Sequence, residues 1–428
     1  MVLEDPVEIF TMYESVIRRT NFKSILEWLF FLYPLSLAIN KHANDVVAAL
    51  LFLTSCVLLI LERHACVSAC RMARRFWILA LTMPLLLVAI QSVALNPPLA
   101  LRDFDDYSRF FLCLPVYFAA LILRLDIRKF MWGCFFFALY SVPLMVYQMI
   151  VMGSGRLLPP NGFLGIIPHT SLAIILSLVA LRLAAGGQGF VVTRLVPGVA
   201  LASALVMPLL TQTRSGFLLL LAMWLLVWAL QAQRQLKFLA YIAAAALSLT
   251  ILVTTMPSLW GRPDSTVAEI RGYATATVPM PLTSATTRIE LCRIAGNIAF
   301  THPLIGIGNH RFRDGLLAMK EKHLAPSTLE PYSHPHNDFL KMASEGGLLG
   351  ALAYILLIGV PLAAGAQVYQ RARGISDPAW LVVILASGVL IAGMVDVILV
   401  WRPTVMFYGM SMSLLLAYVD NRAGTETT

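Results

Sequence analysis

Within the stretch 331–350, PYSHPHNDFLKMASEGGLLG, two histidines, an asparagine and two carboxylates crowd together: His334, His336, Asn337, Asp338 and Glu345. An imidazole, with an ordinary pKa of about 6.5, can take up a proton near neutral pH. A neighbouring amide or carboxylate can orient it for that work. These residue types at this spacing therefore suit proton abstraction by His336, with Asn337 or Asp338 to orient it and His334 in a binding or orienting role. Helix capping or a backbone hydrogen bond is the competing use of His336. Pro335 allows entry from an irregular segment, HNDFLKMASEG has the composition of a short helix, and Gly346-Gly347 interrupts it where an apolar run begins.

That polar stretch must be positioned by a chain that is mostly apolar. Of 428 residues 59% are hydrophobic and 13% charged, against about 25% charged in an average soluble protein. The fold class expected is an all-α integral membrane protein. A helix needs on the order of 20 apolar residues to cross the hydrocarbon, and about twelve such runs can be drawn. They fall near 22–40, 44–62, 76–95, 108–124, 129–152, 164–185, 191–210, 214–231, 236–256, 345–369, 377–399 and 403–419. The division expected is 1–256 for the first nine transmembrane helices, 257–344 for a helical insert, and 345–428 for the last three.

Orientation follows from Lys and Arg in the short loops. Arg63, Arg71, Arg74 and Arg75, then Arg124, Arg128 and Lys129, then Arg234 and Lys237, then Arg371 and Arg373 mark one set of connections as cytoplasmic. An even number of spans places both termini there. The opposite face carries Arg102, Arg156, Arg214 and Arg402, and the insert adds Arg262, Arg271, Arg288, Arg293, Arg311 and Arg313. Translocation of long loops regardless of charge accounts for most of these taken singly. As clusters beside a leaflet they suit anionic headgroups or a phosphate-bearing substrate.

Five of the eight histidines also lie in the insert, at 302, 310, 323, 334 and 336. Its pattern gives a helix from about Thr286 to Phe300, a glycine-punctuated turn HPLIGIGNHRF, and a second amphipathic piece RFRDGLLAMKEKH. Strand signals are too few for a β domain, so a mostly helical cap is expected.

For a phosphate clamp the choices are Arg214, in TQTRSG where a span begins, and Arg288, near the start of the insert's first helix. Guanidinium donors match phosphate oxygens in pairs and keep their charge, and amides at a helix N-terminus add to them. A snorkelling anchor is the competing role for Arg214. Arg311 ranks as a secondary contact, and Arg293 lower because it faces another side of its helix. Asp396, a carboxylate near the end of a span, calls for a partner, either Arg402 or a catalytic arginine. Asp103, Asp105 and Asp106 resemble a metal-binding acidic set, but flanking Arg102 and Arg109 favour ion pairs and a helix cap. The loop 153–165, GSGRLLPPNGFLG, with Arg156 and His169 near it, reads as structural punctuation beside a cleft.

Cys292 is the one cysteine of six placed in the insert, so no disulfide is expected there. Cys66 and Cys70 lack the spacing and the second ligand pair of a zinc site. A Walker-type loop is missing, which disfavours ATP-driven transport. No nucleic acid is expected as a partner.

TRSG at 213–216, TRIELCRIAGNIAFTHPLIGIGNHRF at 287–312 and HNDFLKMASEGGLLG at 336–350, in that order, resemble the bacterial O-antigen ligases and their relatives the O-antigen polymerases. The resemblance implies a GT-C-like glycosyltransferase that takes a glycan from undecaprenyl pyrophosphate and attaches it to a sugar hydroxyl of lipid A-core. It further implies work on the periplasmic face of the inner membrane, without metal or other cofactor and with inversion at the anomeric carbon. Carried onto this chain, it favours His336 as base over His336 as cap, with Arg214 and Arg288 as catalytic clamp. His334, Asn337, Arg311, Arg293 and Asp396 remain as binding residues. Polymerisation on the same donor, and a lipid-linked anion transporter or flippase, are the alternatives.

Overall fold

Backbone polar groups in hydrocarbon must be satisfied within the segment, and the apolar runs of this chain meet that demand as helices. The computed structural model describes residues 6–96, 98–152, 165–185, 191–211, 213–231, 271–273, 282–372 and 379–425. The ninth expected span (236–256), most of the 153–165 loop, and Arg262 lie outside them. The main helices are α1 (Pro6–Ile39), α2 (Lys41–Leu61), α3 (Arg63–Met72), α4 (Arg75–Ala94), α5 (Asp105–Phe111), α6 (Leu114–Leu123), α7 (Arg128–Met152), α8 (Ile166–Ala180), α9 (Arg182–Ala185), α10 (Val196–Thr211) and α11 (Arg214–Gln231). They continue as α12 (Ser284–Thr301), α13 (Phe312–Glu321), α14 (Asp338–Ala372), α15 (Ala379–Val395) and α16 (Arg402–Thr425). No strand occurs among the described residues.

Seven described helices are long and apolar enough to span a membrane, and three shorter apolar ones cover Tyr107–Leu123, Ser215–Val227 and Ala379–Val395. Together they coincide with every segment drawn from hydropathy except 236–256 and 403–419. The latter falls in α16, a helix in which Phe407, Tyr408, Met410 and Met412 are all buried. Helices apolar on every side belong at the centre of such a bundle: α8 is buried continuously from Pro168 to Ala180 and α15 from Ala379 to Val389. By contrast, α2 leaves Val46, Leu50, Leu53, Val57 and Ile60 exposed, a face suited to lipid.

The insert has its own small core. Leu291, Ile294, Ala295 and Ile298 of α12 close on Phe312, Leu316, Ala325 and Leu329, all buried. Thr283 caps α12 through a capping box with Thr286, satisfying amides that the first helical turn leaves unpaired.

Insert and membrane helices are joined by exchanged backbone bonds. In an unbroken α14 the Leu348 and Leu349 amides would bond the Ser344 and Glu345 carbonyls. Gly347, at φ +59, breaks that ladder. The PLIGIG turn supplies the missing partners: Ile307 and Gly308 amides donate to Ser344 and Glu345 carbonyls (3.2 and 2.9 Å), and Leu348 and Leu349 donate to Pro303 and Leu304 carbonyls (2.7 and 3.3 Å). The approach is close enough that a Cβ on Gly347 would stand 2.5 Å from the Leu304 carbonyl carbon and 2.7 Å from the Gly306 nitrogen. Gln91, near the end of α4, holds the seam: its Nε2 donates to the Ile305 and Glu345 carbonyls (2.6 and 2.7 Å) and its Oε1 accepts from the Asn309 amide (3.3 Å).

Candidate functional site

The start of α14, the connection from α15 to α16, and the insert converge on His336. Asn337 caps α14 by accepting from the Leu340 amide at 2.9 Å, and its Nδ2 donates to the Met394 carbonyl at 3.2 Å. The cap is therefore made by Asn337, which frees the His336 imidazole for other contacts. His336 itself sits at φ +53, in the left-handed region. A non-glycine residue held there costs on the order of 1–3 kcal/mol and persists only when its surroundings fix it.

Those surroundings can be named. His336 Nδ1 lies 2.7 Å from Asp396 Oδ1, and the same carboxylate oxygen accepts from the Val397 amide at 2.8 Å. An Nδ1–H donated to Asp396 leaves the Nε2 lone pair available, and no hydrogen bond to Nε2 forms among the described residues. The Tyr332 ring meets His336 edge-on at 5.7 Å, and His334 does so at 4.5 Å. Burial, with His336 and Lys341 nearby, lowers His334 to about 4 despite the opposing pull of Asp396. His334 is thus neutral at neutral pH, and its buried Nδ1 makes no hydrogen bond.

Two sequence expectations are corrected here. Asn337 and Asp338 were the expected orienting groups for His336, but Asp396 orients it, because Asn337 is used as the cap and the Asp338 carboxylate accepts the Ile398 and Leu399 amides (3.0–3.1 Å). Asp338 therefore shapes the turn that carries Asp396. Asp396 pairs with neither Arg402 nor a catalytic arginine among the described side chains: Arg402 reaches Asp105 at 2.7 Å, and Asp105 is also held by Arg109 at 2.6 Å. Asp103 accepts from the Ala100 amide at 2.8 Å. Asp105 is thus held by two ion pairs and Asp103 by a local turn; the Arg102 and Asp106 side chains lie outside the described ones.

Arg288 stands one helical turn before Cys292, whose Sγ lies 3.7 Å from the Pro335 carbonyl. Burial raises the Cys292 thiol while the charge of Arg288 works to lower it. Residues four apart share a helix face, so α12 turns Arg288 toward the 334–336 segment. Arg293 faces elsewhere, bonded to Glu290 (3.0 Å) and to the Leu324 carbonyl (2.7 Å). Arg311 donates to the Pro98 carbonyl at 3.0 Å, tying the insert to the chain after α4.

Arg214 opens α11 at the same end of the bundle. Thr170 Oγ1 donates to Thr211 Oγ1 (3.0 Å), which is 3.1 Å from Thr213 Oγ1, and a Cβ on Gly216 would stand 2.6 Å from Thr213 Oγ1 and 2.9 Å from Thr170 Cγ2. The start of α8 in turn abuts the 396–401 connection, where a Cβ on Gly165 would lie 3.3 Å from the Trp401 ring. The Arg214 side chain lies outside the described ones. His169 is fully buried beside Phe137, with ring centroids 6.0 Å apart, and so does not line an open cleft.

Residues 199–355 match the family model described as O-antigen ligase. Over that segment, somewhat more than a third of the chain, the protein is similar to the O-antigen ligase family. No curated protein matches it. The ligase-family segment takes in Arg214, Arg288, Arg293, Arg311, His334, His336 and Asn337 and stops short of Asp396. That family is associated with glycosyltransferase-type activity of the O-antigen ligase or polymerase kind. The sequence pattern left three contributors unnoticed: Gln91, Lys341 and Tyr332. A lone amide in the apolar α4 was the available signal for Gln91. Lys341 makes a buried 2.6 Å pair with Glu345 and lies 5.5 Å from the Tyr107 ring centroid, which assigns Glu345 a structural role. His334, His336 and Asp396 also form a set able to hold a metal ion, with donor atoms within 4.8 Å of one another.

Proposed function

We propose that the protein is an inverting glycosyltransferase that moves O-antigen glycan from undecaprenyl pyrophosphate to a sugar hydroxyl of lipid A-core, without a metal. The single observation that carries this reading is the His336–Asp396 hydrogen bond, which leaves one imidazole nitrogen available as a base. In the proposed step the acceptor oxygen attacks the anomeric carbon as its proton passes to His336 Nε2. The bond from that carbon to the phosphate oxygen breaks, and its electron pair leaves with undecaprenyl pyrophosphate. Attack opposite the leaving group inverts the centre. Asp396 stabilises the imidazolium that forms, and the proton is then released to water.

Arg288, and Arg214 at the start of α11, are proposed to take the charge that develops on the diphosphate. His334, neutral at working pH, is proposed to contact the sugar hydroxyls alongside Asn337, with Arg311 and Arg293 contributing through placement of the insert. The site is proposed to open on the periplasmic face of the bacterial inner membrane, with both termini cytoplasmic and the chain divided at 256/257 and 344/345. Membrane lipids would surround the bundle.

The experiment is glycan transfer from purified undecaprenyl-pyrophosphate donor to rough lipopolysaccharide in detergent, for wild type and His336→Ala, with and without EDTA. Transfer that survives EDTA and falls by a factor on the order of 10² or more in the variant is expected for a lost general base. Chain growth on the donor without transfer to lipopolysaccharide would identify polymerisation instead. Loss in EDTA would overturn the metal-free step.

A further inference from the structure

We infer that His334, His336 and Asp396 form a reversible inhibitory site for a divalent transition metal of the zinc class. The three donor atoms lie within 4.8 Å of one another, and they are two imidazoles and one carboxylate, the donor types that zinc takes. His334 Nδ1 is buried with no hydrogen bond of its own, so a ring nitrogen in this cluster has no partner to give up. His336 Nδ1 and Asp396 Oδ1 are 2.7 Å apart. Zinc ligands at about 2.0–2.2 Å from a tetrahedral ion stand about 3.4 Å from one another, so modest opening of this pair admits the ion. Backbone fixes the set on two sides: Asn337 and Asp338 bind to residues 394–399 and hold the 334–338 segment against the turn that carries Asp396.

Occupancy must silence the base. A neutral imidazole offers one lone pair. Metal on His336 Nδ1 displaces the bond to Asp396 and leaves the proton on Nε2; metal on Nε2 takes the lone pair directly. In either arrangement no nitrogen of His336 remains to accept a proton from an attacking hydroxyl. Lys341, whose charge reaches His334, disfavours a resident dication. The site therefore binds exchangeably and does not hold a permanent cofactor. The binding part of this inference stands on the geometry alone; the inhibitory part rests on the proposed role of His336.

The test uses the full-length protein in detergent, stripped with EDTA. It is titrated with Co²⁺ and then Zn²⁺ in the absence of substrates, for wild type, His334→Ala and Asp396→Asn, each first checked for a monodisperse elution profile. The expected result is a visible absorption band of four-coordinate Co²⁺ in the wild type, displaced by one equivalent of Zn²⁺. Affinity should fall by at least about tenfold in each variant, the minimum effect of perturbing a metal site. Should either variant fail to fold, wild-type Co²⁺ binding followed by its loss on diethyl pyrocarbonate modification of the histidines serves in its place. Absence of the band, or equal affinity in wild type and variants, overturns the site whatever the enzyme's activity. Glycan transfer that falls in step with zinc occupancy and returns with EDTA supports inhibition. Transfer unchanged at full occupancy, or transfer that requires the metal, overturns it.

Discussion

His336 Nδ1 and Asp396 Oδ1 lie 2.7 Å apart across 60 residues of chain. The bond joins the irregular segment that enters α14 to the connection between α15 and α16, and it fixes which imidazole nitrogen faces outward. Asp396→Asn keeps the size of the side chain but removes its charge and lets the imidazole take the wrong tautomer. Glycan transfer is expected to fall by a factor on the order of 10² or more, in kcat more than in KM. Steady-state kinetics with purified donor check this, and a variant that changed only KM would refute the orienting role.

Arg288 and Arg293 sit five positions apart on α12 and should behave differently. Arg288→Ala is expected to lower transfer on the order of 10²-fold, and Arg288→Lys to restore little of it, since an ammonium lacks the paired planar donors. Arg293→Ala leaves the face of α12 toward His336 intact and is expected to act on the stability of the insert. Parallel kinetics and thermal unfolding of the three variants separate the two roles, and equal kinetic losses at both positions would count against this division.

Gly347→Ala places a Cβ at φ +59 and 2.5 Å from the Leu304 carbonyl carbon. At least about 1–3 kcal/mol of destabilisation is expected from the backbone conformation alone, with more from the clash. The melting temperature in detergent should drop, and protease cleavage between α12 and α14 should increase.

Gln91→Leu removes two donated bonds and one accepted bond at the same seam. A loss of about 1–3 kcal/mol is expected, because the Ile305 and Glu345 carbonyls lose their Gln91 donors in a buried place. Hydrogen exchange is the sharper measurement here, since amides of 305–309 should lose protection before those of α8.

The insert should also respond to acid. Burial acts to raise the Glu290 carboxyl, but hydrogen bonds from Arg293 and Tyr273 outweigh it and hold it below its usual value. The unfolded chain, with Glu at about 4.3, then binds the proton first as pH falls. Stability from this link is complete above that value and is lost as pH drops through the lower folded-state value. Thermal unfolding from pH 7 down to pH 3 should show the loss in wild type, while Glu290→Gln should be weaker at pH 7 and lack that acid step.

Much of this protein was determined by local sequence. Some twenty consecutive apolar residues form a helix in a membrane wherever they occur, so the spans could be drawn from hydropathy; the twelfth, 403–419, was found as a helix buried among others. Gly347 likewise announced the break in α14, because few other residues adopt its backbone angle. The concentration of His334, His336 and Asn337 in an otherwise apolar chain marked the place to look.

Only the tertiary structure decided who pairs with whom. Asp396 had Arg402 six residues away and took His336 from 60 away, because the turn after α15 is pinned by Asp338 while Arg402 points to Asp105. Gln91 stood out in sequence as a lone amide in an apolar helix, but its partners, the Ile305 and Glu345 carbonyls, are set by tertiary packing. Partner choice among polar groups depends on where helix ends meet, and that is set by packing across the whole bundle, which no window of neighbouring residues contains.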